Sequence, residues 1–141
     1  MEHLQTQNLE AGGISLPKLG LGTFRMQGDA CRAAVESALA LGYRHLDTAE
    51  MYGNEEAVGA AIAASGIARK DIHVTTKVWN ENLAPDAMRR AFDASLKKLR
   101  LDRIDGDLTG SRGDQAVLPE VAEAALSVGR VRELLQPGRR P

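Results

Sequence analysis

Asp47, Tyr52 and Lys77 lie at or just beyond the ends of consecutive predicted β-strands. In a parallel α/β fold, the C-terminal ends of the strands share one face, where active sites are built. We therefore expect the three side chains to meet. Each also has a purely structural explanation: Asp47 as a turn or cap residue, Tyr52 as a packed loop aromatic, and Lys77 as a solvated edge charge.

A tyrosine, a lysine and an aspartate can together deliver a proton. An ordinary tyrosine hydroxyl has a pKa of about 10, so it donates poorly at neutral pH. A lysine ammonium beside the hydroxyl favours the phenolate, and an aspartate paired with the lysine keeps it charged and oriented. Such a set is suited to protonating a carbonyl oxygen while hydride reaches the carbonyl carbon.

Alternating strands and helices over the first hundred residues would position these groups. The opening predicts a hairpin turning at Gly12-Gly13, and strands are predicted at 19–23, 43–47 and 73–79. This alternation favours right-handed βαβ units and a parallel sheet. The predicted helices carry apolar or small residues at helical spacing: Cys31, Ala34, Val35, Ala38 and Leu39; Ala57, Val58, Ala61 and Ile62; and Met88, Ala91, Phe92, Ser95, Leu96 and Leu99.

The ends of the three helices have recognisable signals. Asp29 and Asn54 are the predicted N-caps of the first two helices, and Pro85 suits the first position of the third. Gly42 and Gly66 are predicted to end the first two helices.

The pattern weakens past Leu101. Residues 103–105 begin like a fourth strand, but 106–114 is glycine-rich and polar, which predicts a loop. A helix is predicted near 119–128, and 131–135 is compatible with a strand. The sequence therefore divides into a regular segment, 1–105, and a divergent segment, 106–141.

Composition excludes several classes of protein. The 141 residues carry 18 basic and 19 acidic side chains, so no basic field for nucleic acid or an anionic membrane is expected. The single cysteine excludes an internal disulfide and a multi-thiolate metal site, and a buried thiol is its expected state. No signal peptide or membrane span is predicted, which favours a soluble cytoplasmic protein.

Residues 42–59, GYRHLDTAEMYGNEEAVG, closely resemble the first signature of the aldo-keto reductases. Residues 75–80 resemble the lysine strand of that family. Residues 19–24 resemble its first barrel strand, and the leading hairpin resembles its barrel floor. The resemblance extends over residues 9–105 and is strongest to bacterial reductases of the diketogluconate reductase type.

The resemblance implies an α/β fold, the N-terminal portion of a (β/α)₈ TIM barrel with four to five βα units after a hairpin. It implies that Tyr52 donates the proton, that Lys77 promotes its release and that Asp47 pairs with Lys77. The implied reaction is reduction of a small aldehyde or ketone to an alcohol.

The implied cofactor is NADPH, bound without a Rossmann fingerprint. Gly20 and Gly22 have no third glycine at the spacing that such a fingerprint requires. By resemblance, the cofactor-binding residues are Gly22, Thr23 and Asp47, which would lie near the nicotinamide and its ribose. Phe24 and Trp79 would line the substrate pocket.

Two departures from the family pattern stand out. The family places a fourth catalytic residue, a histidine, at the end of its fourth strand, where residues 106–112 contain none; His3, His45 and His73 do not substitute by position. A complete barrel takes about 250 residues, so a truncated barrel with impaired activity and weak or no NADPH binding is expected. Its open edges would favour self-association.

Other interpretations follow from these departures. Residues 130–134 resemble the lead-in to the family's fifth strand, but the tail 135–141 is foreign to it. This change suggests a frameshifted gene, and hence a non-catalytic remnant. A regulatory subunit on the same fold is a further alternative.

Overall fold

A computed structural model describes residues 7–11, 14–79, 82 and 84–109. The predicted helix near 119–128, the strand at 131–135 and the Gly12-Gly13 turn lie outside the described residues. The chain opens with the predicted hairpin, in which β1 (Asn8–Ala11) pairs antiparallel with β2 (Ile14–Pro17).

A parallel sheet of four strands follows, with the strands in sequence order. A helix connects each of its neighbouring strands, as the predicted βαβ units require. The strands are β3 (Leu21–Gly22), β4 (His45–Asp47), β5 (His73–Val78) and β6 (Gly106–Thr109), and the helices are α1 (Gly28–Ala40), α2 (Glu55–Ala64) and α3 (Pro85–Leu99).

The predicted loop at 106–114 is wrong over its first four residues, which form β6. Strand β6 pairs with β5 in parallel, from Thr75 opposite Gly106 to Val78 opposite Thr109. Hydrogen bonds to a neighbouring strand satisfy the backbone whatever the local composition. Tertiary pairing therefore overrides the glycine-rich, polar character of this stretch.

The helix signals are partly confirmed. Pro85 opens α3, and Gly42 and Gly66 take positive φ just beyond the ends of α1 and α2. The predicted N-cap Asp29 is wrong, because Gln27 occupies that position and Asp29 lies in the first turn. A carboxylate there still interacts favourably with the helix dipole.

The predicted apolar stripes face the core between the sheet and its helices. Helix α2 crosses α3 so closely that a Cβ at Gly59 would lie 2.4 Å from the Leu99 carbonyl oxygen, so only glycine fits there. Of the stripe residues, Ala34, Ala57 and Leu96 are only half-buried. The buried members are Cys31, Val35, Ala38, Leu39, Val58, Ala61, Ile62, Met88, Ala91, Phe92, Ser95 and Leu99.

Three observations bear on the classes that composition excluded. Cys31 is a free, fully buried thiol, as predicted. Within the described ranges, no helix is long and apolar enough to cross a membrane. The same residues bring together no cluster of histidine, cysteine and carboxylate side chains that could hold a metal ion.

Glu55 is a carboxylate buried in the core. The apolar stripe of α2 did not predict that this residue would be buried. The hydroxyls of Thr76 and Ser95 each donate a hydrogen bond to it at 3.0 Å, linking α2 to β5 and α3. Burial raises the pKa of Glu55 above its ordinary value, and the two donated hydrogen bonds only partly oppose this effect.

We expect Glu55→Gln to change how stability depends on pH. Because the pKa of Glu55 is raised on folding, its stabilising contribution is complete below the ordinary value of 4.5 and is lost as pH rises through the raised value. Glutamine does not titrate, so the free energy of unfolding of wild type should fall relative to the variant as pH rises from acid towards neutral. Urea denaturation across this range measures the difference.

Glu56 is the matched control for this experiment, since it is adjacent in sequence and exposed. Glu56→Gln should leave the pH profile parallel to that of wild type. Parallel profiles for Glu55→Gln would contradict the role given to burial. Glu55→Ala should cost about 1–3 kcal/mol, because it leaves buried hydroxyls without their acceptor.

Candidate active site

Asp47 and Lys77 lie at the C-terminal ends of the neighbouring strands β4 and β5. The parallel register places Asp47 opposite Thr75, two residues before Lys77. Because side chains alternate along a strand, Asp47, Thr75 and Lys77 share one side of the sheet. The intervening Val74 and Thr76 are buried on the opposite side, which the helices cover.

The Lys77 ammonium forms an ion pair with the Asp47 carboxylate. Its Nζ also donates a hydrogen bond to the Thr48 carbonyl oxygen at 3.2 Å. The Lys77 side chain is 23% exposed and that of Asp47 is 42% exposed, so the pair faces an open surface. A small ligand can therefore reach both charges.

Tyr52 joins this pair from the loop that follows β4. It is the last residue of a 3₁₀ turn, Glu50–Tyr52, and the Gln27 side-chain amide donates to its carbonyl oxygen at 2.6 Å. The Lys77 Nζ lies 5.4 Å from the centre of the Tyr52 ring, within cation–π range. The structure thus brings together Asp47, Tyr52 and Lys77.

Phe24 provides an apolar surface beside Tyr52. The two ring centres lie 5.1 Å apart at a tilted angle, and Phe24 is 56% exposed. The next residue, Arg25, has a φ of 61°, which is unusual for a residue other than glycine, and its guanidinium lies over the Phe24 ring. An exposed aromatic ring at this point is available to contact a ligand.

The Glu50 carboxylate connects the 3₁₀ turn to the chain after β5. Its Oε2 accepts a hydrogen bond from the Trp79 backbone N–H at 3.0 Å, and its Oε1 accepts one from the Asn82 side-chain amide at 2.9 Å. Sequence reasoning did not single out Glu50. The available signal was an acidic residue inside the motif between Asp47 and Tyr52.

A buried polar network fixes the end of β3 against the Asp47–Tyr52 segment. The Thr23 hydroxyl donates to Thr48 Oγ1 at 2.9 Å, and that hydroxyl donates to Asn54 Oδ1 at 3.0 Å. The Asn54 amide donates to the Thr23 and Met26 carbonyl oxygens. Asn54 occupies the predicted N-cap position of α2, but its side chain serves this network and makes no cap bond.

Gly22 directly precedes Thr23 in the chain but lies at the surface, outside the buried network. It is exposed, and a Cβ placed on it would meet no atom within 4 Å. Thr23, by contrast, is fully buried. Its N–H donates to the Asp47 carbonyl oxygen at 3.0 Å, and its hydroxyl and carbonyl are also engaged.

His45 and His73 lie at the starts of β4 and β5, the strand ends opposite to those near Tyr52. Their rings meet edge to face at 5.0 Å, and His45 Nε2 lies 3.2 Å from Thr75 Oγ1. Burial lowers the pKa of both histidines, which favours their neutral forms. Neither histidine lies where the fourth catalytic residue was expected.

If Asp47, Tyr52 and Lys77 form a proton-donating group, as the sequence predicts, Asp47→Asn should weaken that group without dismantling it. An amide oxygen can still accept a hydrogen bond from Lys77, but a neutral acceptor holds the ammonium less strongly than a carboxylate does. The rate of aldehyde reduction should fall about tenfold, equivalent to about 1.4 kcal/mol. Steady-state kinetics measure this fall. Asp71→Asn, on an exposed turn, is the control and should keep the wild-type rate. An unchanged rate in Asp47→Asn would contradict the role given to the Asp47 carboxylate.

The family model of the Aldo/keto reductase family matches residues 18–108. The chain belongs to this family. Among curated relatives, methylglyoxal reductase DkgB of Salmonella typhi is 45% identical over 126 residues, which cover 86% of this chain and 47% of the relative. An aldo-keto reductase of Mycobacterium sp. is 46% identical over 93 residues, covering 66% and 34% of the two chains. This aldo/keto reductase chain spans about half the length of the methylglyoxal reductase it matches.

Solved structures of the family share its fold. A protein assigned as a 2,5-diketo-D-gluconic acid reductase B is 43% identical, with a TM-score of 0.81 over 88% of this chain and 44% of that one. A thermostable aldo-keto reductase crystallised with the inhibitor epalrestat is 31% identical. Its TM-score is 0.76, over 86% of this chain and 48% of that one. The predicted fold, the N-terminal portion of a (β/α)₈ barrel, is confirmed.

Proposed function

We propose that this chain carries the proton-donating portion of an NADPH-dependent reductase that converts aldehydes and ketones to alcohols. The proposal rests on one observation: Asp47, Lys77 and Tyr52 meet at the C-terminal ends of β4 and β5. Relatives named as reductases of methylglyoxal and of a diketogluconic acid support small carbonyl compounds as the substrate class.

Each catalytic side chain then has a definite task. The Tyr52 Oη–H gives its proton to the carbonyl oxygen, which becomes the hydroxyl of the alcohol. The Lys77 ammonium stabilises the phenolate left on Tyr52, and Asp47 holds that ammonium in place. Solvent returns the proton to Tyr52, because the neighbouring ion pair is partly exposed. When bound, NADPH supplies the hydride that the carbonyl carbon receives.

The residues near β3 are compatible with a nicotinamide nucleotide. The open space beside Gly22 allows a flat ring to approach the backbone, and the exposed Asp47 carboxylate can accept a hydrogen bond from a ribose hydroxyl. Because the polar groups of Thr23 are engaged inside the protein, we assign it the task of shaping this surface. The Phe24 ring lies beside Tyr52, and the Trp79 backbone is joined through Glu50 to the turn that carries Tyr52; both aromatic residues would form walls of the substrate pocket.

Two measurements on the full chain test this function. Trp79 is the only tryptophan, so its fluorescence should report NADPH binding beside the pocket. Methylglyoxal is the probe substrate, and it should accelerate NADPH oxidation above the rate without aldehyde. NADH serves as the comparison for cofactor choice. No NADPH binding, or oxidation indifferent to the aldehyde, would contradict the proposal.

Two further expectations remain predictions. The segment 1–105 would hold all of the catalytic residues, and the segment 106–141 begins with β6, which continues the same sheet. Among the described strands, β3 and β6 each have one neighbour in the parallel sheet, which leaves an edge on either side available for pairing. We propose that these edges support self-association.

A further inference from the structure

We infer that Glu50 is a positioning residue that holds the pocket wall at Trp79 in a fixed place relative to the proton donor Tyr52. This inference deepens the proposed function and rests on it for the catalytic meaning of both aromatic residues. The geometry that carries it is a single carboxylate that joins the turn bearing Tyr52 to the segment after β5 that bears Trp79.

Each oxygen of the Glu50 carboxylate holds a different end of one turn. Oε2 accepts from the Trp79 N–H at 3.0 Å, and Oε1 accepts from the Asn82 side chain at 2.9 Å. The Asn82 N–H in turn donates to the Trp79 carbonyl oxygen at 2.9 Å, which closes the turn. Hydrogen bonds to an ionised carboxylate are stronger than neutral ones, so this contact is well suited to fixing a loop.

The other end of the link is the 3₁₀ turn that carries Tyr52. Glu50 opens this turn and Tyr52 ends it, two residues later. The Tyr52 N–H donates to the Ala49 carbonyl at 3.0 Å, and the Gln27 amide holds the Tyr52 carbonyl at 2.6 Å. The turn is thus held from both sides, and any displacement of Trp79 relative to Tyr52 must stretch the Glu50 contacts.

Glu50 therefore affects how a substrate is held rather than how the proton moves. Both of its oxygens are occupied by donors, and its effect reaches the substrate through Trp79. An interaction made equally in the ground state and the transition state alters KM and leaves kcat nearly unchanged. Glu50→Ala should raise KM for methylglyoxal about tenfold, with kcat within about twofold of wild type.

The conservative variant provides the decisive comparison. In Glu50→Gln the side-chain oxygen can accept from the Trp79 N–H, and the amide nitrogen can donate to Asn82 once the Asn82 amide rotates. We therefore expect Glu50→Gln to recover most of the wild-type KM. Glu56→Ala, at an exposed position in the first turn of α2, is the matched control and should behave as wild type.

A spectroscopic readout makes the test independent of turnover. Acrylamide quenching of the sole tryptophan should increase in Glu50→Ala, be intermediate in Asn82→Ala, and return towards wild type in Glu50→Gln. Unchanged quenching in Glu50→Ala, or a Glu50→Gln that matches Glu50→Ala, would overturn the inference. If Glu50→Ala does not fold, the quenching of Asn82→Ala and Glu50→Gln relative to wild type still tests whether Glu50 positions Trp79. A wild-type chain without turnover would contradict the proposed function, while the quenching series would still test Glu50.

Discussion

Tyr52→Phe should lower kcat/KM for aldehyde reduction by about 10²–10⁴-fold, the contribution typical of a general acid. The substitution removes only the hydroxyl that would donate the proton. The ring remains, so its contacts with Phe24 and with the Lys77 ammonium should persist. The large loss should therefore arise in the chemical step and not in folding.

Tyr43→Phe is the control for Tyr52→Phe, because Tyr43 is the only other tyrosine in the sequence. Tyr43 lies beyond the end of α1, before β4, and Tyr43→Phe should reduce aldehydes at close to the wild-type rate. NADPH affinity, followed through Trp79 fluorescence, should be similar in both variants. A Tyr52→Phe enzyme that retains more than about a tenth of wild-type kcat/KM would contradict its role as general acid.

Lys77→Met has the second largest expected effect, a loss of about 10²-fold in kcat/KM. Methionine preserves much of the apolar stem but removes the cation that, in the proposed mechanism, stabilises the Tyr52 phenolate as the proton leaves. The effect on stability should be small, about 1 kcal/mol or less, because both partners of the Lys77–Asp47 pair are partly exposed. The loss should therefore appear in a variant that remains folded.

Two comparisons sharpen this experiment. Lys70→Met, on an exposed 3₁₀ turn before the start of β5, removes the same charge at the strand end opposite to Lys77 and should leave turnover unchanged. Lys77→Arg restores a cation of different shape and should recover only part of the rate, because guanidinium and ammonium groups are not interchangeable. Wild-type turnover in Lys77→Met would exclude a role for the cation in proton transfer.

Local periodicity was sufficient to predict most of the fold. The apolar stripes of the helices and the β-branched residues of β5 are patterns that a chain needs in order to bury one face of each element. These patterns could therefore be recognised from the sequence alone. Strand β6 was not, because Gly106–Thr109 has no strand character of its own and depends on hydrogen bonds to β5. Strand β3 is shorter than predicted for a related reason: only Leu21 and Gly22 pair with β4.

The candidate site likewise contains residues that the sequence predicted and contacts that it could not predict. Asp47, Tyr52 and Lys77 were predicted because their types and their positions at strand ends indicated shared chemistry. The contacts of Glu50 and Asn54 could not be predicted, because their partners lie far along the chain and meet them only in the folded structure. Glu55 was missed because burial of a charged residue within an apolar stripe contradicts the usual pattern.

The most direct test of the proposed proton-donating site is whether methylglyoxal accelerates NADPH oxidation by the full chain. We predict measurable turnover in wild type and in Tyr43→Phe, with losses of about 10²-fold or more in Tyr52→Phe and Lys77→Met. Equal rates in all four proteins, or no aldehyde-dependent oxidation in any of them, would contradict a site in which Tyr52 gives a proton with the help of Lys77.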